Sequence, residues 1–482
     1  MSDRQWEAVV GLEVHAQLKT RTKTFCRCST HFGDEPNSHT CPVCLGLPGA
    51  LPVLNREAVE MAVRTALAFG CTIHGNSIFA RKNYFYPDLP KGYQISQYEK
   101  PFSSGGSVTA RLEDGSEREI RLTRIHMEED AGKSNHTIST SGTAVDLNRC
   151  GTPLIEIVSE PDIRTPGEAY GYLHRLRQVL LYLGVCDGNM EEGSLRCDAN
   201  ISVRPLGRKE LGTRTEVKNL NSFRGVEKAI GYEVERQISV LESGGRIVQE
   251  TLLWDADRQN VRSMRSKEEA TDYRYFPDPD LLPLVIEQEW IDQLRDSLPE
   301  LPGQREKRFG EQYGLPAYDA EVLTAQKEVA DYFERTVELS PGTEPKKVGN
   351  WIMAEVMAVM AERNIGIDEV GVAPQALAGM FALVEKGTIS GKIAKQVFEE
   401  MVSSGKSADE IVEAGGLVQI SDEGELRSIV DKVIADNQLQ VEQYKSGKDK
   451  VFGFFVGRVM KATRGKANPQ VVNELLKEEL SK

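Results

Sequence analysis

The chain has 482 residues, 40% of them hydrophobic, and carries a formal net charge of -14. This length predicts about three domains with ordinary packed cores, and no apolar run approaches the roughly 18 residues that a membrane span requires. The acidic balance argues against a surface covered with phosphate-binding residues but leaves room for a local basic patch. The first residues, MSDRQWEAVV, hold no basic region followed by a long apolar run, so we expect a cytoplasmic protein.

The first predicted strand alternates apolar and polar side chains. Within residues 9–18 the even positions from Leu12 to Leu18 are apolar, whereas Glu13, His15 and Gln17 occupy the other face, because successive side chains of a strand point to opposite sides. Such alternation is common on a solvated sheet surface. An ordinary solvated face does not need a histidine beside a glutamate, however, so the choice of groups favours a functional face that offers ligands.

Four cysteines follow within nineteen residues, in two close pairs. Cys26 and Cys28 form the first pair, and Cys41 and Cys44 form the second. Paired cysteines in turn-rich segments suit a tetrahedral zinc site, and four sulfur ligands would close its coordination sphere, which indicates a structural role. The alternatives are two disulfides or four independent buried thiols. The remaining cysteines are scattered singly and are expected to be buried, namely Cys71, Cys150, Cys186 and Cys197.

A helix is predicted over 56–69, and a loop over 82–94 follows it. This loop mixes aromatic, amide and basic groups, among them Lys82 and Lys91. The mixture suits a polar ligand or another chain, and the alternative is aromatic packing beneath a surface loop.

An acidic segment comes next. Glu128, Glu129 and Asp130 precede a Gly-Lys-Ser sequence at 132–134, which invites a P-loop interpretation. The motif fails, because Met127 stands where its leading glycine belongs and acids crowd the position of the phosphate-binding glycines. Any ATP would therefore be bound by another architecture.

Glu156 lies inside the apolar strand predicted over 154–158. A lone carboxylate is costly there unless it binds a metal or a cation. Acids grouped with one histidine are typical of sites that hold Mg²⁺ against nucleotide phosphates. The alternative is a structural salt bridge, for example with Arg149.

Two further strands repeat the alternating pattern after a helix predicted over 167–182. In residues 196–204, Arg196 and Asp198 share a face with three other polar residues, and in residues 215–218 Glu216 shares a face with Lys218. Together these strands predict more of the polar face.

The character of the chain changes at residues 297–303, where two prolines and a glycine interrupt it. Before this point the hydrophobic period is about two, and beyond it the period is about 3.6. We predict an α+β fold: an N-terminal mixed-sheet domain with a zinc knuckle (1–293), an all-α helical domain (294–405) and a small all-α tail domain (406–482). The later predicted helices cover 347–363, 374–385, 392–403, 408–413, 423–437 and 470–480.

Positive residues gather in the tail, with Asp449 as the single acid between positions 445 and 466. They are Lys445, Lys448, Lys450, Arg458, Lys461, Arg464 and Lys466. A strongly acidic chain must place its few basic clusters where a polyanion binds. Gly453, Gly457 and Gly465 would allow close approach to phosphates, and the nearby Phe residues are expected to build the small core beneath. The alternative is a solvated helix face.

Seven segments of this chain, in this order, resemble those of one known family, the B subunits of glutamyl/aspartyl-tRNA amidotransferases. The resemblance covers the whole chain and rests on GLEVHAQL (11–18), RKNYFYPD (81–88), HMEEDAGKS (126–134), GTPLIEIVSEPD (151–162), EEGSLRCDANIS (191–202), EVKNLNSF (216–223) and DYRYFPDPD (272–280). It implies that the mixed-sheet domain is a cradle for the active site and that the tail contacts tRNA. It also implies phosphorylation of the side-chain carboxylate of misacylated Glu-tRNA or Asp-tRNA by ATP and Mg²⁺, followed by amidation.

The resemblance further implies partners and residue roles. Ammonia would come from an amidase A subunit, and a small C subunit would clamp the two larger chains. The implied magnesium ligands are Glu13, His15, Glu129 and Glu156. The implied catalytic lining adds Lys82, Lys91, Arg196, Asp198, Glu216 and Lys218, of which the four cations would bind ATP. The implied tRNA-binding residues are Arg458, Lys461, Arg464 and Lys466. A competing interpretation is a non-catalytic, zinc-stabilised tRNA adaptor, and a zinc hydrolase is disfavoured by the closed four-sulfur site.

Overall fold

A computed structural model describes residues 6–135, 142–266, 272–418, 423–463 and 467–481. The chain divides into two compact units, Met1–Leu301 and Pro302–Lys482. The first combines a large mixed sheet with helices and the second is helical, which confirms the predicted α+β class. The finer division at residues 293 and 405 stays a prediction.

The described strands all belong to the first unit. They are β1 (Trp6–Gln17), β2 (Thr72–Ile73), β3 (Asn76–Ser77), β4 (Ala80–Asn83), β5 (Tyr93–Ser96), β6 (Ser103–Ser104), β7 (Ser107–Arg111), β8 (Glu117–Glu129), β9 (Lys133–Asn135), β10 (Ala144–Asp146), β11 (Pro153–Ser159), β12 (Leu195–Pro205), β13 (Thr215–Leu220), β14 (Glu250–Asp255), β15 (Asn260–Ser266), β16 (Phe276–Pro277) and β17 (Leu284–Val285). Eight of them form one sheet in the order β15-β14-β13-β12-β1-β11-β8-β7. The pair β13 and β14 is parallel, and the other neighbours are antiparallel.

Four helices accompany the strands: α1 (Arg56–Ala68), α2 (Pro166–Tyr182), α3 (Phe223–Glu242) and α4 (Gln288–Asp296). The apolar face of β1 is fully buried at Leu12, Val14 and Ala16, and it joins residues of all four helices in one hydrophobic core. The even-numbered positions of the first strand therefore pack as predicted. The sheet's other face is left to the polar side chains.

The second unit contains α5 (Pro302–Tyr313), α6 (Ala317–Leu323), α7 (Lys327–Leu339), α8 (Pro345–Trp351), α9 (Met357–Arg363), α10 (Pro374–Glu385), α11 (Gly391–Ser404), α12 (Ala408–Gly415), α13 (Glu423–Ala435), α14 (Gln438–Lys445), α15 (Phe452–Ala462) and α16 (Pro469–Ser481). A π-helical turn, Ile352–Val356, joins α8 to α9, so the helix predicted over 347–363 is not a regular α-helix. Short 3₁₀ turns occur at Ile367–Glu369 and Asp449–Val451.

Two separate hydrophobic clusters lie within the second unit. One runs from Phe309 to Val412 and includes the fully buried Phe333. The other runs from Leu426 to Leu480 and includes the fully buried Phe455. The predicted apolar core of the tail is thus present, and α15 contributes to it.

Gly171 in α2 offers a test of how closely this helix approaches the sheet. A Cβ atom added there would lie 2.5 Å from the backbone carbonyl oxygen of Arg111 in β7, whereas one added at Gly167 would meet nothing within 4 Å. We expect Gly171→Ala to lower the free energy of unfolding by about 1–3 kcal/mol, because a backbone clash forces the packed elements apart. Gly167→Ala is the control and should be neutral or stabilising by up to about 1 kcal/mol. Urea denaturation of both variants measures the difference, and equal stabilities would contradict this account.

Candidate active site and cysteine cluster

The polar face of the sheet is assembled by the pairing of β1 with its two neighbours. In β1, Glu13 lies opposite Asp198 of β12, while His15 lies opposite Arg196 of β12 and Glu156 of β11. Residues directly opposite each other in antiparallel strands share a face. Side chains from three strands that are far apart in the sequence therefore meet on one surface.

The first cluster on this surface contains one imidazole and two carboxylates. His15 Nε2 lies 3.4 Å from Glu128 Oε1 and 3.3 Å from Glu156 Oε2. A second histidine, His126, lies opposite Glu156 with its Nε2 3.5 Å from the same carboxylate, and its Nδ1 is buried without a hydrogen-bond partner. One ligand atom each of His15, Glu128 and Glu156 lies within 4.8 Å of the others, so the three fit a divalent cation.

The two histidines of this cluster differ in charge. Burial opposes protonation of His15, but Glu156 and Glu128 outweigh it and raise the pKa of His15 to about 9. Burial lowers the pKa of His126 to about 4. Burial also raises the pKa of Glu128 to about 7. Burial would raise the pKa of Glu156 as well, but the imidazoles of His126 and His15 outweigh it and hold this pKa well below its usual range. In the absence of a metal, a protonated His15 thus serves as the counter-charge of the two acids.

A second cluster lies beside the first. Carboxylate oxygens of Glu13, Asp198 and Glu216 lie within 4.8 Å of one another, and Lys218 Nζ lies 2.5 Å from Asp198 and 3.0 Å from Glu216. Asn200 Nδ2 donates to Glu13 at 2.9 Å. Burial raises the pKa of Glu13, and the neighbouring carboxylates add to the effect. Three carboxylates here face one lysine, so the group lacks two positive charges and suits a bound cation.

Two more cations border the clusters. Arg196 Nη2 lies 2.9 Å from Asp130, to which Gln17 also donates at 2.8 Å. The Lys82 ammonium lies 4.8 Å from the centre of the Tyr273 ring. Burial opposes protonation of Lys82, but the charge of Glu128 raises its pKa, so it remains an ammonium that can bind an anion.

Most of the sequence-predicted site residues are brought together here, but Glu129 and Lys91 are not. Glu129 points to the opposite face of β8, where its buried carboxylate pairs with Lys91 and accepts from the Ile95 amide at 2.9 Å. Glu128 occupies the position expected for Glu129, because neighbouring residues of a strand face opposite ways. The alternation of His126 and Glu128 within HMEED was the signal that could have identified both.

The alternative partner suggested for Glu156 is not found. Arg149 instead donates to the carbonyls of Ala131 and Gly132 and lies 3.5 Å from Asp130.

The four clustered cysteines come together as predicted. All eight cysteines of the chain are free, and the Sγ atoms of Cys26, Cys28, Cys41 and Cys44 lie within 4.8 Å of one another. Two disulfides are therefore not formed, and the donor set fits a tetrahedral thiolate site. The four scattered cysteines are buried, as expected.

Lys23 is a fully buried lysine beside this cluster. Its ammonium donates to the carbonyls of His39 at 2.6 Å and Leu147 at 3.3 Å, and it lies 3.8 Å from Cys44 Sγ. A hydrogen bond from Cys26, followed by smaller contributions that include the charge of Lys23, lowers the pKa of Cys44 to about 4. At least one sulfur is thus ready to bind a metal as a thiolate.

Of the basic tail residues, Lys445 ends α14, Lys448 and Lys450 lie between α14 and α15, and Arg458 and Lys461 lie on α15. Phe455 is fully buried, and the Arg458 guanidinium stacks 5.2 Å from the centre of the Phe454 ring. Lys461 is exposed, whereas Arg464 and Lys466 lie outside the described residues. Cβ atoms added at Gly453 or Gly457 would meet nothing within 4 Å in the described part of the chain, and Gly465 lies outside the described residues.

Comparison with known proteins shows which family models and which relatives this chain resembles. A family model described as the GatB/GatE catalytic domain matches residues 8–292, and another described as the GatB domain matches residues 331–480. The chain is 59% identical to the B subunit of the aspartyl/glutamyl-tRNA(Asn/Gln) amidotransferase of Geotalea daltonii over 479 residues, which cover 99% of each chain. It is 57% identical to the protein of the same name from Carboxydothermus hydrogenoformans over 483 residues, which cover 99% of this chain and 100% of the relative. Among the described helices, none has the length and apolar character needed to cross a bilayer.

Proposed function

Because this chain belongs to the family of B subunits of the aspartyl/glutamyl-tRNA(Asn/Gln) amidotransferases, we propose that it amidates Glu-tRNA(Gln), Asp-tRNA(Asn) or both. A carboxylate does not react with ammonia at useful rates until one of its oxygens becomes a good leaving group. ATP would provide this activation by transferring its terminal phosphoryl group to the side-chain carboxylate, which leaves ADP. Ammonia would then displace the phosphate and form the amide.

The observation that carries this proposal is the polar face, where two acidic clusters are bordered by cations. Phosphoryl transfer depends on positioning and on neutralisation of negative charge. His15, Glu128 and Glu156 fit Mg²⁺ in the first cluster, and Glu13 of the second cluster lies two residues from His15 on the same strand. When bound, Mg²⁺ would neutralise charge on the transferring phosphoryl group. Glu129, which the sequence suggested for this role, faces away from the site.

The residues around the clusters would bind the substrates. Lys82, Arg196 and Lys218 can hold phosphate oxygens, because all three keep their positive charge and lie beside the acids. His15 would give up its proton when it becomes a ligand, since only the neutral imidazole coordinates a metal.

Lys91 and Glu129 lie apart from the polar face, beside a cavity of about 280 Å³. They line it with Arg81, Tyr93, Cys26 and Cys44. We assign this cavity to the delivery of ammonia, which an amidase A subunit would produce, and we expect a small C subunit to complete the cytoplasmic complex.

The experiment that tests this function measures ATP hydrolysis and amide formation by the reconstituted complex on misacylated tRNA. Consumption of ATP coupled to amidation supports the proposal. A non-catalytic tRNA adaptor would bind the tRNA without making ATP consumption depend on its own polar face.

The two acidic clusters can be tested by removing one acidic or metal-binding side chain from each of them. We expect Glu13→Ala or His15→Ala to lower amidation by at least roughly 100-fold, because phosphoryl transfer would lose charge stabilisation. Binding of tRNA and glutamine hydrolysis by the partner should be unchanged. Glu7→Ala is the control, since Glu7 lies on the same strand but pairs with Arg204 and Arg164. Normal amidation by either cluster variant would refute the assignment.

The cysteine cluster can be tested by metal analysis. We propose that it binds one structural zinc ion, which Cys41→Ser should largely remove while lowering the melting temperature, because the four ligands also hold the surrounding loops. Cys186→Ser changes a buried cysteine outside the cluster and should leave the zinc content intact. Mass spectrometry of the metal in protein purified under reducing conditions measures both. A metal-free wild-type protein would refute the site.

The tail can be tested by removing its positive charge. We expect the combined change of Lys461, Arg464 and Lys466 to Ala to weaken tRNA binding. The slope of log Kd against log salt should fall by up to about 0.7–0.9 for each tRNA phosphate that these side chains no longer neutralise. Changing Lys386, Lys392 and Lys406 to Ala removes the same charge elsewhere in the unit and serves as the control. An unchanged Kd and slope in the first variant would place the tRNA-binding surface outside the tail.

A further inference from the structure

The cysteine knuckle, comprising residues 26–28 and 41–46, ends at a glycine that lies against Lys91. Gly46 has φ +68°, and a Cβ atom added to it would lie 2.5 Å from Lys91 Cγ, 3.2 Å from Cβ and 3.3 Å from Cα. The last two atoms belong to the base of the side chain and to the backbone, which cannot swing aside as a flexible side-chain end can. The knuckle therefore forms a wall against the stem of Lys91.

The other end of Lys91 is held by Glu129. Their side chains are 6% and 3% exposed and form a buried ion pair. Glu129 also accepts from the Ile95 amide at 2.9 Å, and its carbonyl accepts from Gln94 Nε2 at 2.7 Å. Glu129 is thus fixed by groups outside the knuckle, and the position of Lys91 depends on what contacts its stem.

The position of Gly46 is set by the turn that joins the second cysteine pair. The Leu45 amide donates to the carbonyl of Cys41 at 3.0 Å, and the Gly46 amide donates to the carbonyl of Val43 at 3.1 Å. The Cys41 amide also donates to Cys44 Sγ at 3.1 Å. Any change that separates Cys41 from Cys44 will therefore move Gly46.

We propose that the cysteine knuckle is a positioning element for Lys91, and that it holds this side chain in its ion pair with Glu129. The cluster would then do more than stabilise a loop, because its occupancy would decide the geometry of a buried charge pair next to Glu128 in the sequence. The inference rests on the proposed function in two respects only: zinc is the metal that the knuckle binds, and Lys91 is used in the reaction.

The test measures how fast an amine-acetylating reagent modifies Lys91 in the full chain, by mass spectrometry, with neither ATP nor tRNA present. We expect Gly46→Ala to speed this modification by roughly tenfold or more, because Lys91 would become accessible and lose the carboxylate that favours its charged form. Gly49→Ala is the matched control. Gly49 has a similar φ of +86°, but its added Cβ would meet nothing within 4 Å, so the labelling rate should stay at the wild-type value.

A second measurement removes zinc from the wild-type chain with a chelator. Lys91 should again become reactive, while Lys218, which pairs with Asp198 and Glu216 on the polar face, should keep its rate. If Gly46→Ala fails to fold, the chelator experiment on the wild-type chain tests the proposal by itself. Persistent protection of Lys91 in zinc-free protein would overturn the proposal. Equal increases at Lys91 and Lys218 would also overturn it, since they report general unfolding. Neither experiment measures amidation, so both labelling results can be interpreted even if the proposed function is wrong.

Discussion

The pairing register of β1 with β11 and β12 is the constraint on which the candidate site depends. It places Glu13 and His15 opposite Asp198, Arg196 and Glu156, although these residues are up to 185 positions apart. A slip of β1 by one residue would turn Glu13 and His15 into the core and would bring Leu12 and Val14 to the polar face. The buried apolar face of the strand therefore enforces the chemistry of the polar face.

Such a concentration of acids is tolerated because each carboxylate has a partner nearby. The first cluster uses His15 in its protonated form, and the second uses Lys218. Removing one partner from a buried charge pair costs about 3–5 kcal/mol. The two clusters together still hold more carboxylates than cations, and a divalent cation bound by His15 would have to replace its proton. Such an exchange would couple metal binding to pH, with weaker binding as the pH falls below about 9, the pKa of His15.

Residue patterns alone predicted much of this arrangement. Strict alternation in residues 12–18 and 196–204 identified the polar face, and the cysteine spacing identified the knuckle, because both depend on local geometry. The choice between Glu128 and Glu129 could not be made from the two adjacent glutamates themselves, but the alternation of His126 with Glu128 could have decided it, because the pairing of β8 with β11 places these two on one face. Helix α3 was not predicted individually, although Ser222 caps its first turn by accepting from the Gly225 amide. The π-helical turn at Ile352–Val356 was not predicted, because a hydrophobic period near 3.6 does not distinguish a short π-helical segment from the α-helix around it.

Glu128 and Glu129 are adjacent but face opposite ways, so strand β8 separates two polar regions. On one side Glu129 borders the cavity beneath the cysteine knuckle, and on the other Glu128 borders the acidic clusters. The hydrogen-bonded pairing of β8 with β11 and β7 keeps these two regions on opposite faces of one sheet. Strand β8 ends at Glu129, and the next residue, Asp130, is held by Arg196 and Gln17. Two glutamates that are neighbours in the sequence thus belong to separate polar regions, and the contacts of Asp130 fix the end of the strand that divides them.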